Sequence, residues 1–293
     1  MPKLQRTGRH LFWCCLFVLV CGFQGAADEN RWTSGIVEEE QSIAESLAYE
    51  RILYTTADKQ PVRAHVLSVD DLNSDWKLDV MGSFGILIPP RVFAEKSKAT
   101  AVVNGGFFSF QNHEGIGLIA YNNRVLYSPA GKERYRGTLG ITPNGVLIGQ
   151  LNPVDIDRYQ IQTEKSNWNS AYSALAAGPI LVRDATNYLQ VENQGFNRTQ
   201  LAPRTAIGRI TQNKVLLIVV DGRQPGWSRG VTLNELAELF LSFGAEQALN
   251  LDGGGSSTMV IDDEIVNRPS DHAEPGKPGR ERPVANAIGL FEK

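Results

Sequence analysis

The chain has 293 residues, with 29 Lys and Arg against 32 Asp and Glu. It contains no run of five or more basic residues. That balance excludes nucleic acid as the main partner, because such binding rests on clustered Lys and Arg.

At the N-terminus, Lys3, Arg6 and Arg9 precede the apolar run Leu11 to Phe23, and Gly25, Ala26 and Ala27 follow. This is the layout of a secretory signal peptide over residues 1–27, with cleavage after Ala27. An uncleaved anchor is the alternative, but the run falls short of the about 20 apolar residues that a spanning helix needs. A lipid-modified Cys21 is a third reading, disfavoured by the bulky Val20. The expected location is therefore secreted or periplasmic, with no membrane span after cleavage. Cys14, Cys15 and Cys21 all lie in this leader, so the mature chain has no cysteine. That excludes disulfides, thiolate nucleophiles and cysteine metal sites. Losing the three basic residues of the leader moves the formal net charge from -3 to -6. About 265 residues remain, enough for a sizeable core.

Residues 28–48 are polar and acidic, with Glu38-Glu39-Glu40, and read as a leader or linker. From residue 49 to 293 one domain is expected. Short runs rich in Val, Ile, Leu and Tyr recur between Gly, Asn, Asp and Pro. They include Val62 to Val69, Trp76 to Met81, Thr100 to Val103, Gly117 to Tyr121, Val146 to Ile148, Ile180 to Val182, Val215 to Val220 and Ala285 to Phe291. Such lengths and breaks predict strands. Asn122-Asn123 and Asn144-Gly145 suit tight turns between them. Pro90 to Lys98 predicts a short helix. A second helix starts at Thr232, where Glu235 completes a capping box, and Gly244 ends it. The expected fold class is α+β: a single domain of mixed, strand-rich sheets with a few helices. Ser270 to Arg282, rich in Pro, Gly and charge, predicts a long surface loop.

Four segments share one design. Ala101 to Val103 leads into Asn104-Gly105-Gly106-Phe107-Phe108. Leu217 to Val220 leads into Asp221-Gly222-Arg223. Ala248 to Leu251, which includes Asn250, leads into Asp252-Gly253-Gly254-Gly255-Ser256-Ser257. Ala202-Pro203-Arg204-Thr205 runs the other way, into Ala206-Ile207-Gly208. A buried strand places a polar side chain accurately, and glycine lets a ligand approach the backbone. A lone Asp-Gly or Asn-Gly is more often a plain turn. Three glycines after Asp252 are harder to explain that way. Ser256 is not a hydrolase nucleophile by pattern, because Thr258 stands where Gly-x-Ser-x-Gly needs its last glycine. No Lys follows the glycines, so a P-loop is excluded. His65, His113 and His272 fit no zinc spacing. His113 is a candidate acid or base, though a surface role fits it as well.

In order and spacing, these segments, with Gly178-Pro179 and the closing Arg282-Pro283-Val284-Ala285-Asn286-Ala287, resemble the phosphodiester glycosidase domain. The resemblance covers about Val92 to Phe291. It implies an exported hydrolase that cleaves the sugar–phosphate bond of an N-acetylglucosamine-1-phosphodiester-like substrate, with a role in surface or exopolysaccharide metabolism. Without the cysteine-rich extensions and membrane anchor of the animal enzyme, a different physiological substrate is expected. The competing reading is a non-catalytic exported protein that binds glycans or assists envelope assembly.

Under this resemblance Asp252 and Asp221 are the candidate catalytic carboxylates. Arg204 and Arg223 are the phosphate candidates. Asn104, Gly105, Gly106, Thr205, Asn250, Gly253, Gly254, Gly255 and Ser256 complete the expected substrate contacts. No cofactor is firmly implied. Clustered Asp and Asn oxygens leave a divalent cation, Ca²⁺ or Mg²⁺, open, although no EF-hand spacing exists.

Overall fold

The structure is a computed structural model that describes Trp32 and residues 34–122, 124–127, 137–151, 168–191, 194–274 and 276–293. The expected signal peptide lies outside the described residues. Three sheets organise the chain, and neighbouring strands within each pair antiparallel. The fold is thus mostly β with two α-helices among the described residues, which is compatible in outline with the expected α+β class, and the sheets are antiparallel rather than mixed.

The largest sheet has eight strands. In order they are Ile36–Ala44, Leu47–Thr55, Pro61–Val69, Val215–Val220, Arg204–Arg209, Gln247–Asn250, Ile180–Arg183 and Thr186–Asn187. Its central strand Val215–Val220 is apolar throughout because both of its faces are buried. Val215, Leu217 and Val219 face a core shared with the other two sheets. Leu216, Ile218 and Val220 face a second core under the helix Leu233–Ser242. The capping box holds that helix start: Glu235 N–H donates to Thr232 Oγ1 (3.1 Å), and Thr232 N–H donates to Glu235 Oε2 (2.9 Å). Gly208 lets Phe240 lie on the sheet, since a Cβ there would sit 2.4 Å from the ring.

A five-stranded sheet orders Glu264–Ile265, Met259–Ile261, Ala101–Asn104, Asn286–Glu292 and Trp76–Gly82. The short helix Pro90–Ser97 packs on it through Phe93 and Ala94. The other five-stranded sheet orders Arg124–Tyr127, Ile119–Tyr121, Ser173–Ala177, Gly137–Thr142 and Gly145–Gln150.

The acidic stretch expected as a leader carries the edge strand Ile36–Ala44, paired with Leu47–Thr55. Glu38 bonds Arg51 on that neighbour and Arg63 on the next strand in, Pro61–Val69. Acidic residues on an edge suit it, because they discourage pairing with another chain. No helix among the described residues is long and apolar enough to cross a membrane.

Candidate active site

The antiparallel order of the large sheet explains why one of the four motif segments runs against the others. Arg204–Arg209 lies between Val215–Val220 and Gln247–Asn250, with Arg204 opposite Val220 and Ala206 opposite Asn250. The start of one strand therefore meets the ends of its two neighbours. The chain after Asn250 leaves this sheet and crosses to the Ala101–Asn104 sheet. Leu251 N–H donates to Thr205 O (2.8 Å), Asp252 N–H to Gly105 O (2.9 Å) and Gly254 N–H to Pro203 O (2.9 Å). The glycine run is thus a bridge pinned to both sheets.

Beside this bridge lies a cleft of about 260 Å³. Asp252 is the only carboxylate among the described residues lining it, and Arg204, Arg223 and Arg282 line it as well. Phe107 and Phe196 form an aromatic wall, their rings stacked 5.9 Å apart. The glycines admit the arginines. Gly254 has φ +63°, and a Cβ there would stand 3.1 Å from the Arg223 guanidinium. A Cβ on Gly255 would stand 2.3 Å from Arg282. Asn250 donates to Gly178 O (2.8 Å) and Leu251 O (2.6 Å), while its Oδ1 is buried without a protein partner.

Burial raises the Asp252 pKa above the ordinary carboxylate value. Ser256, the Gly253 N–H and Arg282 oppose that rise without cancelling it. Ser256 Oγ is buried and completes no hydrogen bond of good geometry, yet it lies close enough to contribute. Arg204 is held by Val231 O (3.2 Å) and Gln200 O (2.6 Å). Burial, then the neighbouring Arg223, lowers its pKa to about 10, so it stays charged at neutral pH.

Of the residues expected at the site, Asp252, Arg204, Arg223, Asn250, Gly253, Gly254 and Gly255 meet in this cleft. Asn104, Gly105, Gly106, Thr205 and Ser256 stand behind it. Asn104 donates to Asp252 O (2.7 Å) and accepts from Thr205 Oγ1 (2.7 Å) and Thr258 N–H (3.1 Å). With both ends of its amide engaged, Asn104 buttresses the bridge and is fully buried. Gly105 N–H donates to Asn286 O (3.0 Å), and Gly106 N–H to Asn286 Oδ1 (2.6 Å).

Asp221 is placed elsewhere, fully buried and outside the cleft. Its Oδ2 accepts from His65 Nε2 (3.0 Å) and Trp227 Nε1 (2.7 Å). Its Oδ1 accepts from Asn267 Nδ2 (3.1 Å) and Arg268 N–H (2.9 Å). On its other side the His65 ring meets the Tyr49 hydroxyl through Nδ1 (2.9 Å). Burial alone would raise the Asp221 pKa. His65, Trp227 and the Arg268 N–H outweigh burial and hold the carboxyl below its usual range. Asn267 also donates to Ser257 O (3.2 Å) and accepts from Met259 N–H (2.8 Å), so the network supports the far end of the bridge.

Sequence reasoning missed Phe196 and Arg282 as cleft residues. Arg282 sits in a Pro- and Gly-rich loop, but its Arg-Pro start before a strand mirrors the Pro-Arg start at Arg204. His113 lies on a neighbouring cleft, not on this one. Among the described residues, no group of three or more His, Cys, Asp or Glu side chains is gathered to hold a metal.

The site is thus a cleft in a strand-rich fold where Asp252 and three arginines stand beside stacked aromatic rings. Comparison with known proteins makes the class specific. The phosphodiester glycosidase model matches residues 97–291, and the chain belongs to that family, a family of hydrolases. It is 29% identical over 213 residues to bovine (Bos taurus) N-acetylglucosamine-1-phosphodiester alpha-N-acetylglucosaminidase, covering 68% of this chain and 38% of that protein. With the human (Homo sapiens) counterpart it shares 27% over 243 residues, covering 77% of this chain and 45% of that one. The chain thus spans under half the length of these relatives. The zebrafish catalytic domain of the same name superposes with a TM-score of 0.70 at 23% identity, over 88% of this chain and 89% of that chain. A Synechocystis protein gives 0.62 at 16%, over 85% and 63%. These two likenesses are of fold.

Proposed function

We propose that this chain hydrolyses the bond between the anomeric carbon of a sugar and the phosphate of a glycosyl-1-phosphodiester, with N-acetylglucosamine as the sugar. The observation that carries this reading is that Asp252 shares one cleft with Arg204, Arg223 and Arg282, the last also paired with Asp271. The arginines match the negative diester. The Phe107–Phe196 wall suits the apolar face of a pyranose ring. Ionised Asp252 supports the positive charge that develops at the anomeric carbon and takes the proton of the attacking water. The water oxygen bonds to that carbon while the carbon–oxygen bond to phosphate breaks. The phosphomonoester leaves with the bonding electrons and, as a good leaving group, needs no second carboxylate to protonate it. The family's named relatives support the choice of substrate. The basic, apolar, small-residue N-terminus supports export, with a surface or extracellular polysaccharide as the setting.

The direct test is release of N-acetylglucosamine from N-acetylglucosamine-1-phosphate methyl ester. Tight glycan binding with no release from any diester would sink the reading and favour a binding protein. Two further outcomes are expected. Arg223 is exposed, so Arg223→Ala should fold normally and raise KM about tenfold with little change in kcat. An unchanged KM would remove Arg223 from the phosphate site. A cleft whose one lining carboxylate, Asp252, stands with three arginines is a poor donor set for Ca²⁺ or Mg²⁺. Dialysis against EDTA should therefore leave activity unchanged, and a loss restored by either ion would contradict this.

A further inference from the structure

A second, larger cleft of about 730 Å³ shares Arg282 with the first. Its apolar lining includes Ile86, Leu87, Phe110 and Pro283. Ile86 is 56% exposed and Phe110 62% exposed, an unusual degree for large apolar side chains in one place. The walls are held in position. Phe110 packs edge-on against the buried Phe108, with centroids 4.9 Å apart. Ser83 Oγ–H donates to Ile86 O (2.7 Å). Ile116 N–H donates to Phe107 O (2.7 Å), closing the 107–116 loop that carries Phe110.

The carboxylates of this cleft are engaged within the protein: Asp271 bonds the Arg282 guanidinium, and Glu281 accepts from Arg91 N–H (3.1 Å). His113, His272 and Arg280 stand at its exposed rim. The surface left to a ligand is therefore mainly hydrocarbon. Arg282 also stacks 5.5 Å from the Phe110 ring, so one guanidinium touches both clefts. A phosphodiester has the same layout: one charged phosphorus with an organic group on each side.

Resting on the function proposed above, we infer that the second cleft holds the aglycone of the phosphodiester, and that this aglycone is an apolar hydrocarbon group. Arg282 marks the seam where the phosphate lies. The sugar then occupies the cleft of Asp252, and the alkyl or isoprenyl-like portion lies along Ile86 and Phe110. A carbohydrate aglycone would need hydrogen-bonding side chains converging on it; here the carboxylates are committed, and His113, His272 and Arg280 lie at the exposed rim.

The test compares methyl, octyl and mannosyl esters of N-acetylglucosamine-1-phosphate. The octyl ester should be cleaved with a kcat/KM at least about tenfold above the other two. Phe110→Ala, and separately Ile86→Ser, should bring the octyl-to-methyl ratio close to one, with melting curves confirming that each variant is folded. Equal rates for all three esters, or a faster mannosyl ester, would overturn the inference and leave the proposed function standing. Calorimetry with octyl phosphate against methyl phosphate separates the remaining outcomes. Octyl phosphate binding that depends on Phe110, with no ester cleaved, would sustain the apolar cleft and refute the chemistry. No cleavage together with no octyl phosphate binding would overturn both.

Discussion

Asp252→Asn should lower the hydrolysis rate about 10³-fold or more and, at neutral pH, melt a few degrees higher than the wild type. Both outcomes come from one property. Burial raises the Asp252 pKa in the folded protein, and Ser256, Gly253 and Arg282 only partly offset it. A carboxyl whose folded pKa exceeds its unfolded value binds its proton more tightly when folded. Ionising it therefore costs stability as pH rises from the unfolded value, about 4, through the higher folded one. Asparagine removes that cost, so the gain in melting temperature should be present at pH 7 and vanish below about pH 4. For the wild type, the acid limb of kcat should lie above the ordinary carboxylate range, because the active form is ionised. A fully active Asp252→Asn variant would falsify the catalytic assignment. A variant that is inactive but no more stable would leave the role intact and refute the electrostatic account.

The opposite sign is expected at Asp221. Asp221→Asn should destabilise the protein by about 3 kcal/mol, because removing one member of a buried charged network leaves its partners unsatisfied. For a chain of this size that is a fall of roughly 6–12 °C in Tm. An amide in that position can accept through one atom only, and its N–H₂ group would face two donors. The Asp221 pKa is lowered in the folded state. Its contribution to stability is therefore fully present above the unfolded carboxylate pKa and lost as pH falls through the folded value. Thermal melts of both proteins across pH measure this, and the difference between them should shrink in acid. Kinetics at low temperature, where the variant stays folded, should show a smaller change than for Asp252→Asn. A variant that is inactive with an unaltered Tm would return Asp221 to the catalytic role expected from sequence.

These two aspartates show how far the sequence could be read. Both follow an apolar strand and precede glycine, so local pattern makes them equivalent. What separates them arrives from distant parts of the chain. Asp221 is surrounded by donors from His65, Trp227, Asn267 and Arg268, whereas Asp252 keeps one backbone donor, its neighbour Gly253. Asn104 and Thr205 were similarly legible as important, but their engagement with each other and of Asn104 with Thr258 appears only after folding.

Most strands with Val, Ile and Leu were legible from composition. Three regions were not. Ile36–Ala44 is an exposed edge that shows no apolar alternation. Ser173–Ala177 is built of small residues, although every one is buried. Gly137–Thr142 contains Gly140, where a Cβ would stand 2.6 Å from the Trp168 ring. Close packing chose residues there that strand preference would not. Both helices were legible because their signals are local: a capping box for one and a leading proline for the other.

The bridge after Asn250 takes its backbone partners from two sheets, Thr205 and Pro203 on one side and Gly105 on the other. Arg282 and the rest of the second cleft instead come from stretches without helix or strand, residues 83–89, 105–118, 266–274 and 276–285. On the function proposed above, the reacting end is therefore fixed by the framework, while the end proposed to choose a partner group is written in exchangeable loops. Descendants of such a scaffold can change diet by altering a few loop residues and keep the same bond-breaking centre.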